Sequence, residues 1–232
     1  MRLILIGCEY SGTTTLAEGI RTWSHKVMGE GKGLIAYHDH WKIPHTSGHP
    51  GLDDYNLFTP EEQEQILALS PKTKEMIQRH NITYHIAPGA LQSPDYLSIG
   101  LHIENAIYAP MYFDYYNDEV ERRANQEHFE HDIADLAPDM PLVLIKASSE
   151  TILNRMKHTP HYNPVLQERD IKDVLNKFEE EYERSSIKNK FTIDTTGSAV
   201  EETLDKFIKQ MEPYFNQSDI LRILNHRSNQ NS

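Results

Sequence analysis

The sequence predicts a three-layer α/β fold in which a mostly parallel sheet of five strands is flanked by helices. Short apolar runs alternate with longer segments of helical periodicity, which is the pattern of successive β-α units. No internal repeat or linker divides the 232 residues, so we expect one domain. The predicted strands cover residues 3–6, 33–37, 96–101, 141–145 and 191–194.

The chain begins with a predicted strand, a glycine loop and a helix. Leu3–Ile6 is a run of four apolar residues, which is typical of a strand buried on both faces of a parallel sheet. A helix is predicted from about Thr13, because Leu16 and Ile20 recur on one side at helical spacing. This first β-α unit carries the motif discussed below.

Two segments interrupt the alternation of strands and helices. The segment from about residue 42 to residue 95 is predicted to be a helical insertion. Its helices begin at Thr59 and Ser70, each of which is followed by proline. Residues of about 157–169 contain two prolines that exclude a single regular element, and their composition is that of a mobile lid.

The domain is predicted to span residues 1–212, with the insertion and the lid inside it. The remaining residues, 213–232, follow a proline and end in polar residues. We expect this tail to be partly disordered and to keep one short helical turn.

Composition excludes several classes of protein. The formal net charge is −12, from 35 acidic residues against 23 lysines and arginines, so general nucleic-acid binding is not expected. Cys8 is the only cysteine, which rules out an intrachain disulfide. The opening apolar run is far shorter than a signal-peptide core or the ~20 residues of a membrane span. We therefore expect a cytoplasmic protein without a membrane partner, and the sequence leaves a homodimer open.

The loop between the first strand and the first helix, Gly7–Thr15, has the pattern of a phosphate-binding loop. Its two glycines allow a tight turn in which successive N–H groups converge on anionic oxygens, and the helix dipole adds to this attraction. This predicts a nucleotide-binding P-loop, whereas a glycine-bounded turn without a ligand is the alternative. The predicted nucleotide contacts are Gly7, Ser11, Gly12, Thr13, Thr14 and Thr15.

The loop lacks one residue of the usual motif. Thr14 falls where a hydroxyl normally binds Mg²⁺, but Thr13 occupies the position of the lysine that neutralises the β- and γ-phosphates. Another cation could then reach the phosphates from elsewhere in the chain. The candidates are Lys42, Arg155, Lys157 and Arg169.

Arg155 and Arg169 bracket the predicted lid. Closure of the lid would bring their guanidinium groups to the charge that develops on a transferred phosphoryl group, so both are predicted catalytic residues. Surface ion pairs with the glutamates of residues 179–183 are the competing explanation.

Asp39 follows the second predicted strand, so a parallel sheet places it at the same carboxyl edge as the phosphate loop. A carboxylate there would act as general base toward the acceptor hydroxyl or hold a metal-bound water, although capping a turn is an equally available role. The neighbouring His38 and His40 are expected to face the substrate. Metal binding by the loop histidines is not expected, because their spacing fits no compact ligand motif.

His102 and Glu104 follow the third predicted strand. From that position both would face the acceptor, or both would be polar residues at a helix start. The first interpretation adds them to the predicted substrate-binding residues.

The order of these features resembles nucleoside and nucleoside-monophosphate kinases, the thymidylate-kinase-like P-loop group. The resemblance implies a P-loop NTPase-like fold with a five-stranded parallel core, Mg-ATP as donor, Asp39 as base and lid arginines on the phosphates. Thr13 and the absence of an Asp-Arg pair after the third strand depart from the family pattern. The segments that carry the resemblance are Leu3–Thr15, Asp39, Leu142–Arg155, the lid to Arg169, and Ile193–Glu202.

The sequence thus predicts a phosphotransferase that moves the γ-phosphoryl group of ATP, with Mg²⁺, to a nucleoside, nucleotide or other small acceptor. Two alternatives remain. Tyr10–Leu16 also looks like the phosphosulfate-binding loop of sulfotransferases, which commonly contains Ser-Gly-Thr-Thr. Without its lysine, the chain could instead be a binding module that holds a nucleotide and does not turn it over.

Overall fold

The computed structural model describes residues 1–29, 37–39, 43, 58–161 and 164–230, with the backbone alone for 37–39. Its strands are β1 (Arg2–Gly7), β2 (Tyr37–Asp39), β3 (Tyr96–Ile99), β4 (Leu142–Lys146) and β5 (Lys190–Asp194). Its α-helices are α1 (Thr13–Met28), α2 (Pro60–Leu67), α3 (Pro71–Ile86), α4 (Pro88–Leu91), α5 (Leu101–Tyr108), α6 (Glu119–Leu136), α7 (Ser149–His158), α8 (Ile171–Arg184), α9 (Val200–Met211) and α10 (Gln217–Gln230). No helix in these ranges has the length and apolar character needed to cross a membrane.

The strands form one parallel sheet in the order β2-β3-β1-β4-β5. This confirms the predicted α/β fold. The second strand, predicted at 33–37, is observed at Tyr37–Asp39, and residues 33–36 lie outside the described ranges. Because all the strands run in parallel, their carboxyl ends meet at one edge of the sheet, where ligands of open α/β sheets bind.

Helices cover both faces of the sheet and form the outer two layers. Side chains alternate along β1, so Ile4 and Ile6 pack with the buried side chains of α5 and α8. Leu3 and Leu5 point the other way and pack with those of α1 and α9. All four of these side chains are fully buried, as the unbroken apolar run predicted.

The described part of the predicted insertion is helical and contains α2, α3 and α4. The Thr59 hydroxyl accepts the N–H of Glu62 at 3.3 Å, and the Ser70 hydroxyl accepts the N–H of Thr73 at 3.3 Å. Each cap is followed by proline at the first helical turn, so both predicted helix starts are confirmed. Residues 44–57 of the insertion lie outside the described ranges.

The expectation of a partly disordered tail at 213–232 is wrong for residues Gln217–Gln230. They form α10, which packs against α1. The N-terminal ammonium group of Met1 lies 2.8 Å from the buried Asp219 carboxylate at the start of this helix. The tail is ordered because it covers the outer side of α1 and neutralises the chain's amino terminus, so the compact body extends beyond residue 212.

Candidate functional site

The loop between β1 and α1 contains two residues with left-handed backbone angles. Tyr10 and Gly12 have positive φ angles of 69° and 99° and flank Ser11. Alternation of right- and left-handed residues turns successive N–H groups toward one concave side. The Ser11 N–H closes the turn on the Cys8 carbonyl oxygen at 2.8 Å. The loop then leads directly into the first turn of α1.

Gly7 is required by packing beneath the loop. A Cβ atom at this position would lie 2.5 Å from Ser11 Oγ and 2.7 Å from the Ile145 carbonyl oxygen of β4. Ser11 itself is fully buried, and its hydroxyl has no hydrogen-bond partner among the described residues. The Ser11 hydroxyl therefore lies inside the turn, against Gly7, while Thr14 and Thr15 are exposed on the outer side of the loop.

Helix α5 holds the first half of the loop from below. The Gly7 N–H donates to Glu104 Oε1 at 3.2 Å, and the Glu9 N–H donates to the Tyr108 hydroxyl oxygen at 2.9 Å. Residues 104 and 108 are one helical turn apart and face the same side. Burial raises the pKa of Tyr108 well above its ordinary value, so this hydroxyl stays neutral.

The structure corrects the predicted roles of His102 and Glu104. Glu104 is 1% exposed and supports the phosphate loop, so it is not placed to face an acceptor. His102 is 2% exposed and points to α6, where its Nε2 atom lies 3.3 Å from Glu130 Oε1. Helical residues two positions apart differ by about 200°, which explains why the two side chains diverge.

The partner of His102 is a buried carboxylate within the core. Burial alone would raise the pKa of Glu130, but hydrogen bonds from His102 and Ser186 lower it to about 2. The Ser186 N–H and hydroxyl both donate to Glu130 Oε2, at 2.6 and 2.7 Å. This network joins α5, α6 and the end of α8, so its role is structural.

Arg155 is the cation candidate that the structure brings to the loop. One guanidinium nitrogen donates to the Tyr10 carbonyl oxygen at 2.9 Å and to Thr195 Oγ1 at 3.1 Å, and the other donates to the Thr195 carbonyl oxygen at 3.1 Å. Burial lowers the pKa of Arg155. Lys157 is exposed, and Arg169 is 78% exposed with its Nε atom 3.6 Å from Asp170. Lys42 lies outside the described ranges.

A cavity of about 260 Å³ opens between the second half of the loop, α7 and the turn after β5. No carboxylate lines it among the described residues, whereas a guanidinium, an imidazole and several hydroxyl groups do. Such a lining suits an anionic ligand with several acceptor oxygens. The lining residues are Tyr10, Gly12, Thr13, Thr14, Thr15, Leu16, Arg155, Thr159, His161, Thr195, Ser198, Val200 and Thr203.

Sequence reasoning missed three contributors to this site. Thr195 Oγ1 donates to the Ser11 carbonyl oxygen at 2.8 Å and thereby ties the turn after β5 to the loop. Glu9 and Tyr10, inside the loop, contact His161 of the predicted lid. The position of Thr195 directly after a parallel strand was a usable signal. Nothing in the sequence indicated that the two loop side chains would meet the lid.

The remaining predicted site residues are located only in part. The backbone of Asp39 ends β2 and pairs with Ile99 of β3, at the carboxyl edge of the sheet. His38 precedes it in the strand, and His40 lies outside the described ranges. The roles predicted for these residues remain predictions.

A magnesium ion fits the donor chemistry at the start of α1. The exposed Thr14 side chain lines the cavity, and its hydroxyl would offer one oxygen ligand of the kind that Mg²⁺ prefers. Among the described residues, no group of three or more His, Cys, Asp or Glu side chains is arranged to hold a metal ion.

This chain is similar to known proteins in its three-dimensional structure, whereas the sequence comparisons found no match. No protein-family model matches the chain, and no curated protein sequence matches it significantly. Deoxyadenosine kinase from M. mycoides with bound dATP matches with a TM-score of 0.55 and 15% identity, over 91% of this chain and 99% of that one. The same enzyme with bound dCTP gives 0.54 and 16%, over 92% and 100%. The YorR protein from Bacillus subtilis, in complex with phosphorylated GDP, gives 0.54 and 14%, over 93% and 99%. The chain therefore shares its overall fold with these solved structures.

Proposed function

We propose that the chain is a nucleotide-binding phosphotransferase that moves the γ-phosphoryl group of ATP to a nucleoside, a nucleotide or another small hydroxyl acceptor. One observation carries the proposal: the loop before α1, which contains two left-handed residues, borders a cavity that has a guanidinium group and no described carboxylate in its lining. The deoxynucleotides bound to deoxyadenosine kinase and the guanine nucleotide bound to YorR support a purine or pyrimidine nucleotide as ligand.

The donor would occupy the cavity on the β4 and β5 side of the loop. Its phosphates would accept hydrogen bonds from the loop N–H groups, and the positive end of the α1 dipole would stabilise them further. Arg155 holds the Tyr10 carbonyl oxygen away from the phosphates and keeps a positive charge beside Gly12. Arg155 thus takes over part of the role of the absent lysine. Bound through the Thr14 hydroxyl, Mg²⁺ would neutralise charge on the β- and γ-phosphates.

The acceptor would occupy the other side of the loop. The strand order places β3 and then β2 next to β1, on the side opposite to β4 and β5. Asp39, at the carboxyl end of β2, is then on the acceptor side, and its carboxylate would take the proton of the attacking hydroxyl. The γ-phosphoryl group would pass between the two sides across the loop.

The test is a binding and turnover comparison on the purified chain. Calorimetry would measure ATP, GTP, dATP and 3′-phosphoadenosine 5′-phosphosulfate with and without Mg²⁺, and ADP release would be followed against nucleosides, nucleotides and small alcohols. We expect Mg-dependent binding of a nucleoside triphosphate and turnover with one acceptor class. Asp39→Asn should lower turnover while nucleotide affinity persists. Preference for the phosphosulfate would instead assign the chain to sulfuryl transfer.

A nucleotide-binding module without turnover is the second candidate. Thr13 in place of the lysine favours it, because that lysine acts on the charge of the transition state. Tight Mg-nucleotide binding with no acceptor-dependent ADP release, unaffected by Asp39→Asn, would support the module and contradict the enzyme.

A further inference from the structure

Glu9 places a carboxylate within the loop that we propose to hold phosphates. Its side chain is only 6% exposed. A buried anion at this position repels phosphate groups and costs free energy unless hydrogen-bond donors stabilise its charge. The donors that reach Glu9 therefore indicate what the residue does.

The predicted lid supplies three of these donors. The N–H groups of Val165 and Leu166 donate to Glu9 Oε2 at 2.9 and 2.8 Å. The Nδ1 atom of His161 lies 3.0 Å from Glu9 Oε1. Both carboxylate oxygens are thus directed at residues that follow α7, and hydrogen bonds to an ionised acceptor are the stronger class.

Tyr10 holds the same segment from the next position in the loop. Its ring stacks on the His161 ring, with centroids 3.9 Å apart and an interplanar angle of 20°. Its hydroxyl oxygen accepts the His161 backbone N–H at 3.1 Å. The positive φ of Tyr10 turns this side chain toward the lid while its carbonyl oxygen meets Arg155.

We propose that Glu9 is a positioning residue that locks His161, Val165 and Leu166 onto the phosphate loop, and that this lock governs how fast a nucleotide enters and leaves the cavity. His161 and Thr159 line the cavity, so a displacement of their segment would change the lining that a nucleotide meets. The lock follows from the contacts of the chain itself, whereas its effect on nucleotide exchange rests on the proposed function.

Hydrogen–deuterium exchange on the ligand-free chain tests the lock. Glu9→Gln removes the negative charge and replaces one acceptor oxygen with an NH₂ group, which cannot accept a hydrogen bond. The Val165 and Leu166 amides should therefore exchange at least about tenfold faster. Glu168→Gln is the matched control, because it makes the same change on an exposed side chain of the same segment. Equal exchange in wild type and Glu9→Gln would overturn the lock.

A second variant keeps the test informative if Glu9→Gln is poorly folded. Tyr10→Phe retains the ring stack but loses the acceptor of the His161 N–H. Exchange should then accelerate at His161, by about threefold to tenfold. If the His161 amide does not exchange faster in a folded Tyr10→Phe chain, the proposal that the loop holds the lid is contradicted.

Stopped-flow binding of a fluorescent ATP analogue tests the consequence of the lock. In Glu9→Gln, the association and dissociation rate constants should both rise several-fold, with a smaller change in Kd. If the amide hydrogens of Glu9→Gln exchange faster but its nucleotide rate constants are unchanged, the lid does not control nucleotide entry and release. If the wild-type chain binds no nucleotide, the proposed function fails, and amide exchange still decides whether the lock exists.

Discussion

The two halves of the phosphate loop are held in different ways. The hydrogen bonds of Gly7–Tyr10 are made to other parts of the protein. The Gly7 and Glu9 N–H groups donate to Glu104 and Tyr108, and the Glu9 carboxylate accepts from the lid. Gly12–Thr15 lines the cavity, with the Thr13 side chain half-buried and those of Thr14 and Thr15 exposed. The first half is thus an anchor held by the protein, whereas the second half lines the cavity that we propose to hold the nucleotide, its ligand-facing surface.

The largest effect is expected from the anchor half. Gly7→Ala would place a Cβ atom 2.7 Å from the Ile145 carbonyl oxygen, and a sheet backbone cannot yield easily. We expect a loss of ~2–3 kcal/mol in the free energy of unfolding, measured by urea denaturation. Gly89→Ala is the control, since its Cβ would meet no atom of the described residues within 4 Å. Equal midpoints for both variants would show that the anchor is not rigid.

An intermediate effect is expected where the two halves join. Arg155→Ala removes the donors to the Tyr10 carbonyl oxygen and Thr195, together with the positive charge beside Gly12. Nucleotide affinity should fall about tenfold, or ~1.4 kcal/mol, by calorimetry. Lys157→Ala, on the same helix but exposed, should change affinity little. If Lys157→Ala has the larger effect, the phosphate cation has been assigned to the wrong residue.

The smallest effect is expected from the support beneath the anchor. Tyr108→Phe preserves the ring but leaves the Glu9 N–H without its 2.9 Å acceptor. The free energy of unfolding should fall by ~1 kcal/mol, with little change in nucleotide affinity. Tyr84→Phe, on a side chain that is 64% exposed, serves as the control. A large loss of affinity in Tyr108→Phe would mean that the anchor and the ligand-facing surface are not separable.

Local pattern was enough to predict the sheet, the position of the loop and two helix caps, because strand burial, glycine turns and capping depend on neighbouring residues. Local pattern could not predict that the side chains of His102 and Glu104 lie on opposite sides of their helix. Nor could it predict the hydrogen bond from Thr195 to Ser11, which is 184 positions away. The tail was misjudged because its order comes from packing on α1 and from the Met1 ammonium group.

Residue types and short-range geometry alone specify a glycine-bounded, lysine-free loop that follows a buried first strand and begins a helix, so these features could be predicted from the sequence. The packing of distant elements places Arg155 beside that loop, Glu104 beneath it and the Glu9 carboxylate against the lid. Such pairings depend on how distant elements pack around the sheet edge, and the residue types involved would suit an exposed surface equally well.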